Sequence, residues 1–198
     1  MDHESDMNIR AQRPSTFSAI LQLGGPVFVV LAIVLPNVAL GVAMALDSVA
    51  WLNYVHVMAG ALWTGADLFM GVVIGPVMRT TEPRQRADFF KRLIPKMTFL
   101  MPMLATVTII GGIVLAQRIG KLTAENPWMV GAWVITVGLI ILGFGVLLPN
   151  EIRIFKQLIS PTPDVDRIGR LGMQNAKLAG IQGLLQVVII FVMANLRF

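Results

Sequence analysis

Five apolar runs, separated by short polar stretches, make up most of the chain: about 17–46, 51–78, 95–117, 127–149 and 174–196. Each reaches or exceeds the roughly 20 residues that carry a helix across a hydrocarbon core about 30 Å thick. None shows the strict apolar–polar alternation of a barrel strand. The pattern predicts an all-α, polytopic integral membrane bundle of five transmembrane helices, a single domain over 17–198 with a tail at 1–16. The first run is too long for one straight perpendicular span, and Gly24, Gly25, Pro26 and Pro36 offer places to kink, tilt or begin with an interfacial piece.

Composition strengthens this reading. Of 198 residues, 56% are hydrophobic and 14% charged, against about 25% charged in a soluble domain; mean hydropathy is +0.73. A soluble globular protein is excluded. No cysteine is present, which rules out disulfides, thiolate metal sites, iron–sulfur clusters and covalent c-type haem. Thirteen of the 16 Lys and Arg residues fall in the tail, the 79–96 region and the 153–177 region. Only Arg118, Lys121 and Arg197 fall on the other side, which predicts a cytoplasmic N-terminus and an external C-terminus. The pI near 10.2 therefore reports topology and not nucleic-acid binding. The mixed-charge tail, His3 included, reads as a solvated cytoplasmic segment and not as a cleaved signal peptide. Arg84–Met97 is expected to lie along the cytoplasmic headgroups, and the Ser160–Gly172 stretch to begin a short capped helix with Pro163 in its first turn.

The second run carries the most informative polar residues. His56 and Asp67 are eleven residues apart, which on a helix brings them within about 20° of one line and separates them by about 16 Å. Gly60 and Trp63 share that face, with Asn53 and Thr64 flanking it. Ionisable groups are costly within a bilayer, so their default reading there is functional. Neutral imidazole ligates haem iron, copper or zinc; a histidine that only hydrogen-bonds a neighbouring helix is the alternative. Gly60 would admit a flat macrocycle or a neighbouring helix, and Trp63 would supply an aromatic wall. Asp67 is expected to be neutral or to pair with a polar group on another helix, serving as a proton carrier or as a plain interhelical tie.

The fifth run has its own stripe. Asn175, Gln182 and Gln186 fall within about 20° of one line, and Met193 continues it. Such amides fasten membrane helices, and facing the His56–Asp67 stripe they would line a polar pocket. In the third run Met97 and Met101 share a face, so either could serve as an axial or copper(I) ligand, with helix packing as the alternative. Gly111, Gly112, Gly138, Gly143 and Gly145 are expected at close helix contacts. No phosphate loop, zinc-protease motif or nucleotide-binding fingerprint occurs.

The stretch Tyr54–Arg79 resembles a group of small bacterial membrane proteins in which one helix reads His, Gly four on, Trp seven on and Gly nine on, ending at Pro and a basic residue. The group includes the CopD copper-resistance proteins, the membrane part of cytochrome-c-coupled urate oxidase and the HemJ-type protoporphyrinogen oxidases. The matching positions are His56, Gly60, Trp63, Gly65, Pro76 and Arg79, and the similarity extends over about Trp51–Leu115. The resemblance implies a haem b or copper function with His56 as ligand. Taken with the polar stripes, it leads to the expectation of a bacterial inner-membrane protein that binds haem b for electron transfer or haem-linked redox chemistry, with Asn53, Gly60, Trp63, Gln182 and Gln186 around the cofactor. Quinone or a periplasmic electron carrier would be the partner, and Asp67 the proton carrier. Copper held by His56 and Met101, or an accessory role in a homo-oligomer or larger membrane complex, are the alternatives. HemJ-like proteins are expected to carry a further histidine late in the fourth span, where this chain has Pro149-Asn150-Glu151. Intramolecular bis-histidine ligation within the membrane is therefore impossible.

Overall fold

A computed structural model of the chain describes residues 21–196; the expected tail, His3 and the start of the first apolar run lie outside them. The described residues are 88% helical, with no strand among them. Five helices are long and apolar enough to cross a membrane: α1 (Pro26–Ala45), α2 (Val49–Arg79), α3 (Pro83–Arg118), α4 (Pro127–Leu158) and α5 (Val165–Asn195). Their outer faces are apolar and bare, with Leu35, Leu62, Val72, Val134 and Leu184 all exposed. Such a surface suits lipid and would be an aggregation hazard in water.

Local chemistry sets the helix starts. Gly25 adopts a left-handed φ of +82° and Pro26 follows in the first turn, so the Gly-Gly-Pro sequence acts as a start signal. Ser48, Asn126 and Asp164 accept backbone N–H bonds from Trp51, Trp128 and Arg167 as N-caps of α2, α4 and α5. Asp164, and not Pro163, thus defines the start of α5. The helix does not stop after a short capped piece but continues to Asn195.

α3 also starts earlier than the apolar run, at Pro83 instead of 95. Arg84–Met97 is continuous with the span because one face of it is core: Ala87, Phe90 and Ile94 are buried, and the Phe90 ring lies on Gly172 of α5. Hydropathy falls at the basic residues while the helical hydrogen bonding runs on. α4 extends past 149 to Leu158 for the same reason, with Ile154 and Phe155 buried.

α3 packs against each of the other four helices, and α5 packs against α2, α3 and α4. The central core joins Leu52 and Trp63 of α2 to Leu104 and Val107 of α3 and Leu139 of α4. α2 and α4 each contain one wide turn of i→i+5 hydrogen bonding, at Phe69–Ile74 and Gly143–Leu147. At the first of these α2 crosses α5 with Gly71 and Gly180 in backbone contact. A Cβ on Gly183 would sit 2.9 Å from the Leu68 backbone nitrogen. Small residues at such a crossing let two membrane helices approach closely.

Candidate functional site

The close crossing of α2 and α5 brings their polar stripes together. Asp67 Oδ2 accepts one hydrogen bond from Gln182 Nε2 at 2.8 Å and another from Gln186 Nε2 at 3.0 Å. All three residues are buried, with Asp67 3% exposed, and the Trp63 side chain lies beside the same carboxyl group. Asn175, one step along the stripe, donates from Nδ2 to the Leu147 carbonyl at the wide turn of α4, over 3.2 Å. The facing of the second and fifth runs is thus realised at Asp67.

A cavity of about 60 Å³ opens beside this cluster, lined by residues of α2, α3, α4 and α5. Trp63 and Asp67 border it from α2, Met97 and Met101 from α3, and Asn175 and Gln182 from α5. Glu151 borders it from α4 and is buried. The sequence reading passed over Glu151 because it stands at the edge of an apolar run, where charge normally marks the end of a span. Eight residues along a regular helix put it about 80° round from Gly143, so periodicity alone carried no signal for it.

His56 stands apart from that cavity. Its Nδ1 donates to the Thr108 carbonyl at 2.8 Å, which places the proton on Nδ1 and leaves Nε2 bare in the neutral ring. The imidazole lies on Gly112, where a Cβ would come within 2.8 Å of Cε1. Gly60 fits against Thr108, 3.3 Å from its methyl to a Cβ built on the glycine. Of its two expected neighbours, a macrocycle or a helix, Gly60 therefore meets the helix. Asn53 is half-buried, with no side-chain hydrogen bond to His56 among the described residues. Gly65 faces open space; so does Gly138 of α4, and Gly145 meets only Ile141 of its own helix at 4.0 Å, so neither of these two marks the close helix contact expected of it.

Met101 borders the Asp67 cavity, whereas His56 is tied to Thr108, seven residues and about 10 Å further along α3. His56 and Met101 thus meet α3 at different levels, and no group of three His, Cys, Asp or Glu residues able to hold a metal occurs among the described residues.

For haem, the described residues fit one requirement and miss another. An imidazole whose Nδ1–H bonds a backbone carbonyl and whose Nε2 is bare has the arrangement of a metal-ligating histidine. The cavity of about 60 Å³, however, does not include His56, and pockets for larger ligands run to about 300–1,000 Å³.

No family model, no curated protein and no solved structure matches the chain. The functional reading therefore rests on the geometry of these residues.

Proposed function

We propose that this chain is a multi-pass protein of a bacterial inner membrane whose working centre is the pair of buried carboxyl groups, Asp67 and Glu151. Protons are taken up and released there, coupled to the passage of a solute small enough for a cavity of about 60 Å³. One observation carries this reading: Asp67 and Glu151 border a single small cavity inside the bundle. Two carboxylates cannot both remain bare anions in hydrocarbon, so their charge must be compensated by protons, donors or cations. Gln182 and Gln186 hold one Asp67 oxygen and orient the group. The uneven distribution of Lys and Arg supports a cytoplasmic N-terminus, which puts the cavity in the cytoplasmic half of the bundle.

Infrared difference spectra of the lipid-reconstituted protein between acid and neutral buffer test this directly. A protonated-carboxyl band that loses intensity in Asp67→Asn or in Glu151→Gln supports the pair. Identical spectra from the wild type and both variants overturn it.

Haem b at His56, serving electron transfer to a quinone or a periplasmic carrier, is the second reading. The bare Nε2 favours it. A reduced-minus-oxidised absorption spectrum from haem-supplied cells decides it: a b-type signal lost in His56→Ala supports ligation, and a blank spectrum removes it.

A further inference from the structure

The cavity between Asp67 and Glu151 has a one-sided hydrogen-bonding chemistry. Gln182 spends an N–H on Asp67 and Asn175 spends one on Leu147. The opposite ends of these amides, Gln182 Oε1 and Asn175 Oδ1, are buried with no hydrogen-bond partner among the described residues. Gln182 is 3% exposed and Asn175 4%, and both border the cavity. The hydroxyl of Thr98 lies beside the Glu151 carboxyl group and within 2.9 Å of the Ile94 carbonyl. Two oxygens of residues bordering the cavity, Gln182 Oε1 and Asn175 Oδ1, are thus left as unpartnered acceptors beside Asp67 and Glu151.

A buried acceptor without a partner costs about 1–3 kcal/mol. Two such acceptors, beside two carboxyl-bearing side chains on one cavity, therefore call for an occupant that is a donor or a positive charge. Water supplies hydrogen bonds but leaves the carboxylate charge uncompensated. Oxygen ligands without nitrogen or thiolate select a hard cation. A volume of about 60 Å³ admits an ion with a water molecule or two. It is too small for a divalent ion that keeps several of its waters, as magnesium does, and offers few ligands against the six to eight of calcium.

We propose that this cavity binds one small monovalent cation of sodium size, held by Asp67, Glu151, Gln182 Oε1 and Asn175 Oδ1. With one proton shared by the two carboxyl groups, a single positive charge neutralises the remaining one. Exchange of the cation for a second proton keeps the cavity neutral, so the two compete for the site. This inference rests on the proposed working pair and names what that pair exchanges with the proton.

The test uses the full chain in nanodiscs of neutral phosphatidylcholine, unfolded thermally in sodium, potassium or choline chloride at equal ionic strength. Binding to the folded state alone raises Tm with the logarithm of sodium concentration. The expected result is such a rise with sodium, a smaller one with potassium and none with choline. The sodium shift should shrink as pH is lowered and disappear in Glu151→Gln and in Asn175→Leu. Line broadening of the sodium-23 resonance by the wild type, relative to empty nanodiscs, gives a readout independent of any variant's folding.

Equal Tm in sodium and choline, without line broadening, would mean that the cavity holds water only and would overturn the proposal. A sodium shift retained in both variants would place the ion elsewhere and overturn it too. Stabilisation by silver(I) but not by sodium would assign the cavity to the thioethers of Met97 and Met101. A titrating carboxyl band without a sodium response sinks the cation alone; absence of both sinks the working pair.

Discussion

Gly180 of α5 rests on the backbone of Gly71 in α2, where a Cβ on Gly180 would lie 2.8 Å from the Gly71 Cα. That contact holds Asp67 within hydrogen-bonding distance of two glutamines. Gly180→Ala should push the helices apart and destabilise the protein by about 1–3 kcal/mol, the usual cost of overpacking. This exceeds the roughly 0.5–1 kcal/mol that alanine gains over glycine in a helix. Gly65→Ala, at a position with nothing within 4 Å, should be neutral or slightly stabilising. Unfolding in bicelles compares the two; equal effects would disprove the close contact.

The amide pair on Asp67 gives a second prediction. Gln186→Leu removes one of the two hydrogen bonds to Oδ2 and should cost about 0.6 kcal/mol, with about 1.7 kcal/mol as the upper end for membrane helices. Asp67→Leu should cost more, because it strands two buried amides without an acceptor. Asp67→Asn keeps an acceptor oxygen and should fall between them. A double-mutant cycle joining Asp67→Leu and Gln186→Leu should show a non-additive term; strict additivity would mean that the side chains do not meet.

The sequence made the helices legible and their ends less so. Apolar runs reported the parts of α3 and α4 that are apolar all round, but Phe90, Ile94, Ile154 and Phe155 bury one face beyond those runs. A windowed hydropathy reading averages that face with the basic residues beside it. The stripes of α2 and α5 were visible separately, as periodicity always is within one helix. Their meeting depends on Gly71 and Gly180, which belong to different helices and have no side chain to form a pattern. Glu151 was concealed by its position at the apparent border of a span.

The His56 ring should be a neutral Nδ1–H tautomer in the wild type, because Nδ1 faces the Thr108 carbonyl at 2.8 Å and a carbonyl can only accept. Nitrogen-15 NMR of histidine-labelled protein distinguishes the two tautomers. Gly112→Val would drive a side chain against Cε1, which lies 2.8 Å from a Cβ at that position. It should abolish the Nδ1 signature without unfolding the bundle. An Nε2–H tautomer in the wild type would contradict the assigned hydrogen bond.

At the opposite end of the bundle from the basic loops, Arg118 pairs with Asp47 at 3.1 Å and also donates to the Met44 carbonyl at 3.0 Å. The Asp47 side chain is 88% exposed, so Asp47→Asn should cost no more than about 1 kcal/mol and less at high salt. Arg118→Gln should cost more, since it also removes a donor from the last carbonyls of α1. Unfolding at low and high ionic strength separates the two contributions.

The wide turn at Phe69–Ile74 divides α2 into two independently clocked halves. A turn of this kind amounts to one residue inserted in an α-helix, and each residue advances the helix by about 100°. His56, Gly60, Trp63 and Asp67 all precede the insertion and keep a common phase, whereas Gly75 and Met78 follow a shifted one. Deleting Val72 should therefore convert the wide turn to a regular one and leave both the polar stripe and the Arg79 end facing their partners. A relative lacking the extra residue would preserve the stripe and differ by a gap, so a one-residue length polymorphism would be the fingerprint of common descent at this place.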